Sequence, residues 1–173
     1  AGQQNALPEI WSYGHRNLQS AALDGQGRLW TVEHGAKGGD ELNRPEAGKN
    51  YGWPTITYGV EYSGDPVGQG VTQMEGTEQP VYYWDPVIAP GQMTFYDGEM
   101  FPDWQGSVLM GGLGVEALVR LELDGDRVTG EARYLDDREF EKWLTCYADD
   151  AVFWMPCWSD DDALTQDPQR ELS

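Results

Sequence analysis

Hydrophobic and polar positions alternate in short bursts over the first three quarters of the chain, and no sustained helical period appears there. Residues 21–23 and 28–32, divided by Asp24-Gly25-Gln26-Gly27, predict a strand, a tight turn and a second strand, because Asp and Gly accept the positive φ that such turns demand. Residues 118–123 and 126–129 flank Asp124-Gly125 and predict a second, tighter hairpin. Residues 81–84, 93–96 and 107–110 add further strands, punctuated by Pro80, Pro86, Pro90, Pro102 and several glycines. Many short strands between Gly/Pro turns imply a sandwich, a barrel or a propeller. The recurring unit of strand, Gly-containing turn and aromatic-rich strand favours radial repetition.

The period changes near residue 135. Asp136 or Asp137 is placed to cap a helix with Glu139 near its third position, and Phe140, Trp143, Leu144 and Tyr147 follow the spacing of one buried helical face. Residues 151–155 before Pro156 then predict a short strand, and residues 159–173 an acidic loop in which Asp160-Asp161-Asp162 reads as a solvated turn. Composition breaks at the same place: all 22 glycines lie between Gly2 and Gly130, whereas both cysteines, Cys146 and Cys157, lie beyond. The expected domains are therefore 1–134, built of strands, and 135–173, a helix and a strand. Two cysteines make no disulfide framework.

The formal net charge is −19, from 30 acidic and 11 basic side chains. That sign argues against a nucleic-acid or anionic-membrane surface and leaves a basic protein as the plausible macromolecular partner. Apolar runs are far too short for a spanning helix, so no membrane partner is expected. The sequence opens without Met, which reads as a mature or excised product.

Most motif matches fail on context. Gly112-Leu113-Gly114-Val115-Glu116-Ala117 fits a dinucleotide fingerprint, but the residues after it alternate as a strand where that motif must open a helix. Asp124-Gly125-Asp126 lacks the Gly and the bidentate Glu of an EF-hand loop. With His15 and His34 as the only histidines, neither zinc spacing nor a Ser-His-Asp pattern emerges. The run from Trp11 to Pro54 remains. Arg16 and Asn17 set a fixed cation beside an amide, which suits carboxylates or quinone oxygens. Asp40 and Glu41 follow two glycines and offer the hard oxygens that calcium prefers, with an ordinary charged turn as the alternative.

Several runs, in order, carry a specific resemblance: Trp11-Ser12-Tyr13-Gly14-His15-Arg16-Asn17, the segment 33–43, Gly48-Lys49-Asn50-Tyr51-Gly52-Trp53-Pro54, the segment 78–86, Ile88-Ala89-Pro90 and Phe101-Pro102-Asp103-Trp104-Gln105-Gly106. Residues 7–134 resemble the soluble aldose sugar dehydrogenases that use pyrroloquinoline quinone (PQQ). The resemblance implies a six-bladed β-propeller, usually periplasmic, that oxidises the anomeric carbon of an aldose. In that family a His base takes the hydroxyl proton while hydride passes to a calcium-bound quinone. By position, Arg16 and Asn17 match the family's PQQ-contacting pair. The carbonyls of Gly35 and Ala36 match the pair that holds the cofactor's calcium, Ala36 standing where a Pro is usual, and Glu41 and Tyr51 with Asp40 match a second, structural calcium site. Gly114 falls where many members carry a Lys aimed at the cofactor, and Leu18 replaces a Pro. None of the present residues matches the family's base, so the expectation is an incomplete propeller of about three blades, inactive alone, with strand edges open to self-association.

From Glu131 onward, the run 131–144 and Phe153-Trp154-Met155-Pro156 resemble the start of the small β subunit of benzoate-type ring-hydroxylating dioxygenases. That subunit is cytoplasmic, mainly structural and without iron. Its resemblance implies a mixed origin for the chain and a competing location. The alternative functions are a non-enzymatic acidic interaction module and a structural piece of the dioxygenase kind.

Overall fold

The computed structural model describes residues 7–134. The chain divides into two compact units, Ala1–Glu139 and Phe140–Ser173, and the described residues all belong to the first. The predicted helix over 137–147, the strand over 151–155 and the Asp160-Asp161-Asp162 turn lie outside the described residues.

Among the described residues, eight strands form two four-stranded antiparallel sheets, and each sheet meanders in chain order. Sheet 1 holds β1 (Leu18–Leu23), β2 (Leu29–Glu33), β3 (Asp40–Asn43) and β4 (Tyr82–Trp84). Sheet 2 holds β5 (Pro90–Phe95), β6 (Val108–Gly112), β7 (Ala117–Asp124) and β8 (Arg127–Arg133). This is the blade of a propeller, repeated twice. Both predicted hairpins are present, β1–β2 through the Asp24 turn and β7–β8 with Asp124 paired to Arg127. The dinucleotide-like run closes a third hairpin, β6–β7, with Gly112 paired to Ala117, so no helix opens there.

Two blades stand where about three were expected. The difference lies between β3 and β4, where residues 44–81 carry turns and isolated bridges such as Tyr13 with Asn50 and Ile56 with Val71 instead of a further sheet. This stretch is rich in Gly and Pro, and its residues serve as a cover over one face of sheet 1.

Strand alternation explains the layering. Trp30 and Val32 of β2, Leu42 of β3 and Trp84 of β4 point to one side and meet Met93, Val108, Met110, Val119 and Leu121 of sheet 2 around Ile88. Burying such side chains is the main favourable term in the fold, at ~1.5–3 kcal/mol for each large one. Polar groups then fix how the sheets meet. Asp40, 1% exposed, accepts the Gly35 amide on Oδ1 (2.9 Å) and the Ile88 and Ala89 amides on Oδ2 (2.9 and 2.8 Å), bracing the crossing between blades. Ser20 Oγ accepts the Met93 amide at 3.0 Å, joining β1 to β5. At the rim, Asp126 of the β7–β8 turn receives Arg28 at 2.7 Å and Arg44 at 3.1 Å.

Candidate functional site

The opposite face of sheet 1 is polar. Register sets Thr31 against Asn43 and Glu33 against Glu41, so two carboxylates stand directly across from each other on neighbouring strands. Like charges so placed destabilise a sheet unless something separates or neutralises them. Here Asn43 stands between, its Nδ2 donating to Glu33 Oε1 (2.9 Å) and to Glu41 Oε2 (3.2 Å). The Oδ1 of the same amide is buried without a hydrogen-bond partner. Burial pushes the Glu41 carboxyl up to about 7; Asn43 pulls it back, and the charges of Glu33 and Asp40 add to the rise.

Glu33 is fully engaged. Besides Asn43, its carboxylate accepts the Arg16 backbone amide on Oε2 at 2.6 Å and His15 Nδ1 on Oε1 at 2.9 Å. With the Nδ1 proton directed at a carboxylate, His15 Nε2 is left to accept the Ser12 hydroxyl at 2.8 Å. The imidazole stacks on the Tyr51 ring, centroids 4.8 Å apart. Histidine spacing alone gave no such pattern, and the strand β2 is what carries Glu33 to His15 across 18 residues.

The Arg16 side chain runs along this face. Its Nη1 donates to the carbonyls of His34 (3.1 Å) and Gly35 (2.6 Å), and its guanidinium lies 5.2 Å from the Trp53 ring centre. Its Nε is buried without a partner. Arg16, Gly35, Glu41 and Tyr51 all line one cavity of about 10 Å³, with Glu33 and Trp53. That is room for about one water or one small ion. Glycine is needed beside it: a Cβ on Gly35 would collide with the Gly38 carbonyl oxygen.

Three other expected site residues stand apart from the cavity lining. Asn17 is exposed; its Oδ1 accepts the Gln19 amide at 2.9 Å and its carbonyl takes the His34 amide at 3.0 Å. Ala36 is half-buried. Asp40 has both oxygens committed to backbone amides. Tyr51 is held through its hydroxyl, which donates to the Arg44 carbonyl at 2.8 Å and accepts the Glu46 amide at 3.1 Å. Glu33, Asn43, His15 and Ser12 are members that sequence reasoning passed over as functional residues. Alternation along β2 and β3 was the available signal, hidden because residues 35–43 read as a glycine-led turn.

Two blades of meandering sheet, with an arginine and a paired carboxylate on the polar face of the first, define part of a β-propeller. The chain belongs to the glucose/sorbosone dehydrogenase family, whose pattern matches residues 1–142. It is 44% identical over 138 residues to aldose sugar dehydrogenase YliI of Escherichia coli, an overlap of 79% of this chain and 37% of that protein. A crystal structure of a glucose dehydrogenase superposes with a TM-score of 0.74 at 51% identity, covering 79% of this chain and 40% of that one. The PQQ-bound form of aldose sugar dehydrogenase from Streptomyces coelicolor superposes with a TM-score of 0.57 at 32% identity, covering 78% and 35%. The chain thus spans under half the length of these relatives. Residues 130–173 match a second family, the ring-hydroxylating β subunit. Over 43 residues there, the chain is 63% identical to the toluate 1,2-dioxygenase β subunit of Pseudomonas putida, covering 26% of that subunit.

Proposed function

We propose that residues 1–134 form the quinone- and calcium-binding part of a PQQ-dependent aldose sugar dehydrogenase, and that residues 135–173 are a piece of separate, dioxygenase-like origin. The observation that carries this reading is that Arg16 and Glu41, assigned to quinone and metal by different motifs, line the same small cavity.

The residues present fit both groups. A buried Glu41 beside Glu33, with the Asn43 Oδ1 lacking any donor, is a set of hard oxygens short of positive charge, which is what calcium relieves. Glu41 and Tyr51 would hold that ion, while Asp40 braces the loop behind them. Arg16 supplies a fixed cation and Trp53 an aromatic face for a flat, polyanionic quinone. Asn17, exposed next to Arg16, would leave its contact with the Gln19 side chain to turn its amide toward the same ligand. Gly35 and Ala36 would offer carbonyls to the cofactor's own calcium, and Arg16 must first release the Gly35 carbonyl that it now holds. When bound, PQQ supplies the two-electron acceptor for the anomeric carbon of an aldose. This chain's share is to bind and orient it.

Of the two histidines, neither has its Nε2 free for the sugar hydroxyl. His15 is committed to Ser12 and Glu33, and His34 Nε2 to the Pro90 carbonyl at 2.8 Å. The proposal therefore has the chain bind PQQ without turning over sugar. Equilibrium titration of PQQ in millimolar calcium, followed by tryptophan fluorescence, tests it. Saturable quenching that Arg16→Ala removes is the expected result; quenching equal in wild type and Arg16→Ala, or glucose oxidation above a no-protein control, refutes it.

A further inference from the structure

We infer that Glu33 is a positioning residue that sets the quinone-facing arginine, Arg16, from behind, with His15 and Asn43 as its supports. The inference rests on the quinone reading of Arg16 given above.

Glu33 is 3% exposed and lies at the end of β2, where the sheet fixes its backbone. Three donors from two parts of the chain converge on it: the Arg16 amide at 2.6 Å and His15 Nδ1 at 2.9 Å from the segment before β1, and Asn43 Nδ2 at 2.9 Å from β3. The Arg16 amide is the shortest of the three, and it anchors the residue whose side chain faces the cavity. Arg16 itself has no carboxylate partner among the described residues; its Nη1 rests on two carbonyls and its Nε is buried unpaired. The Nη1 bond to the Gly35 carbonyl and the backbone bond to Glu33 are equally short at 2.6 Å, so the carboxylate fixes the base of a side chain whose tip rests on neutral carbonyls, the Tyr62 hydroxyl and the Trp53 ring.

His15 and Asn43 keep Glu33 in that pose. His15 cannot rotate, being packed on Tyr51 and bonded at both nitrogens. Asn43 also reaches Glu41, so the hub that aims Arg16 touches the carboxylate expected to hold calcium. Ser12, His15 and Glu33 share the outline of a nucleophile, a base and an orienting acid. Here the carboxylate at the end of that chain is also spent on the Arg16 amide, which marks the assembly as a support for the arginine.

The test uses the full ¹⁵N-labelled chain and follows the Arg16 Nε–H resonance, identified by its loss in Arg16→Lys. In the wild type, a buried Nε–H is expected to exchange slowly with solvent. Glu33→Gln, which turns an acceptor into a partial donor facing three donors, should bring its exchange to the rate of an exposed arginine. It should also weaken PQQ binding about tenfold, as the loss of about 1.4 kcal/mol implies. His15→Phe, which keeps the stack on Tyr51 and removes the Nδ1 donor, should shift both readouts the same way by less, and it serves if Glu33→Gln does not fold. A folded Glu33→Gln or His15→Phe chain with Arg16 protection and PQQ affinity unchanged overturns the inference, whatever its melting temperature. A wild-type chain that protects Arg16, loses that protection in Glu33→Gln and yet binds no PQQ supports the role of Glu33 and overturns the quinone reading alone.

Discussion

The carboxyl of Glu41 offers a direct measure of what the polar face costs the protein when no cation is present. Its folded-state value of about 7 lies above the ordinary 4.5 because the group is buried and because the charges of Glu33 and Asp40 add to the rise. The folded state therefore holds the proton more tightly than the unfolded state. Stability is fully present below about pH 4.5 with respect to this group, falls as pH rises toward 7 and stays lower above it. At ~1.4 kcal/mol per pH unit, the gap between the two values amounts to about 3 kcal/mol as an upper bound. Glu41→Gln keeps the shape and an oxygen for Asn43 but has no proton to lose. In calcium-free buffer the variant should match the wild type near pH 4.5 and exceed it at pH 8 by up to about 3 kcal/mol, or roughly 6–12 °C in Tm. Comparing the two chains at each pH cancels the repulsion from the remaining acidic residues. Calcium should then reverse the order at pH 8, stabilising the wild type by mass action and leaving Glu41→Gln unmoved. A difference between the two chains that stays flat from pH 4.5 to 8, or a variant less stable than the wild type at pH 8 without calcium, refutes the reasoning.

Other perturbations have equally definite outcomes. Asp40→Ala strands three backbone amides at the crossing between blades and should cost about 3–5 kcal/mol in urea denaturation, with Asp40→Asn recovering only part. Asp24 is mostly covered, which by itself would raise its carboxyl, but hydrogen bonds from the Arg28 amide and guanidinium, Trp30 Nε1 and the Gln26 amide hold it well below the usual carboxylate range. Its contribution is present above about pH 4 and lost as pH falls further, so Asp24→Asn should lower Tm at pH 7 and progressively less in acid. A chain ending at Tyr134 should keep its strand circular dichroism and lie within a few degrees of the full chain in Tm, because β8 is then complete and Tyr134 still reaches Arg120 and Trp104; collapse of the signal would place the domain boundary elsewhere.

Much of the blade architecture was legible from local chemistry. Turn residues such as Asp24 and Gly125 announce their hairpins, and Trp30, Val32, Val119 and Leu121 announce the buried face by alternation alone. The number of blades was not: the expectation of about three came from the resemblance, and residues 44–81 carry isolated bridges such as Tyr13 with Asn50 and Ile56 with Val71 where a further sheet was implied. At the site, Arg16, Glu41 and Tyr51 were legible as residue types in a motif. Their supports were not: Glu33 meets Asn43 through the pairing of β2 with β3 and His15 from the segment before β1, contacts between residues 10 and 18 positions apart that no local spacing encodes. Asp40 is the reverse case: its oxygens hold backbone amides at the crossing between blades, a role that two neighbouring glycines do not announce.

The short strand β3 has four residues, and its alternation puts Glu41 and Asn43 on one side with Asp40 and Leu42 on the other. Slipping it by a single position against β2 would drive Glu41 and Asn43 among Trp30, Val32 and Met110 while carrying Leu42 out to the carboxylates. Each buried polar group lost that way costs several kcal/mol, far more than four residues of strand pairing return. A ladder that burdens the finished protein with facing acids thus also holds β3 to a single register against β2.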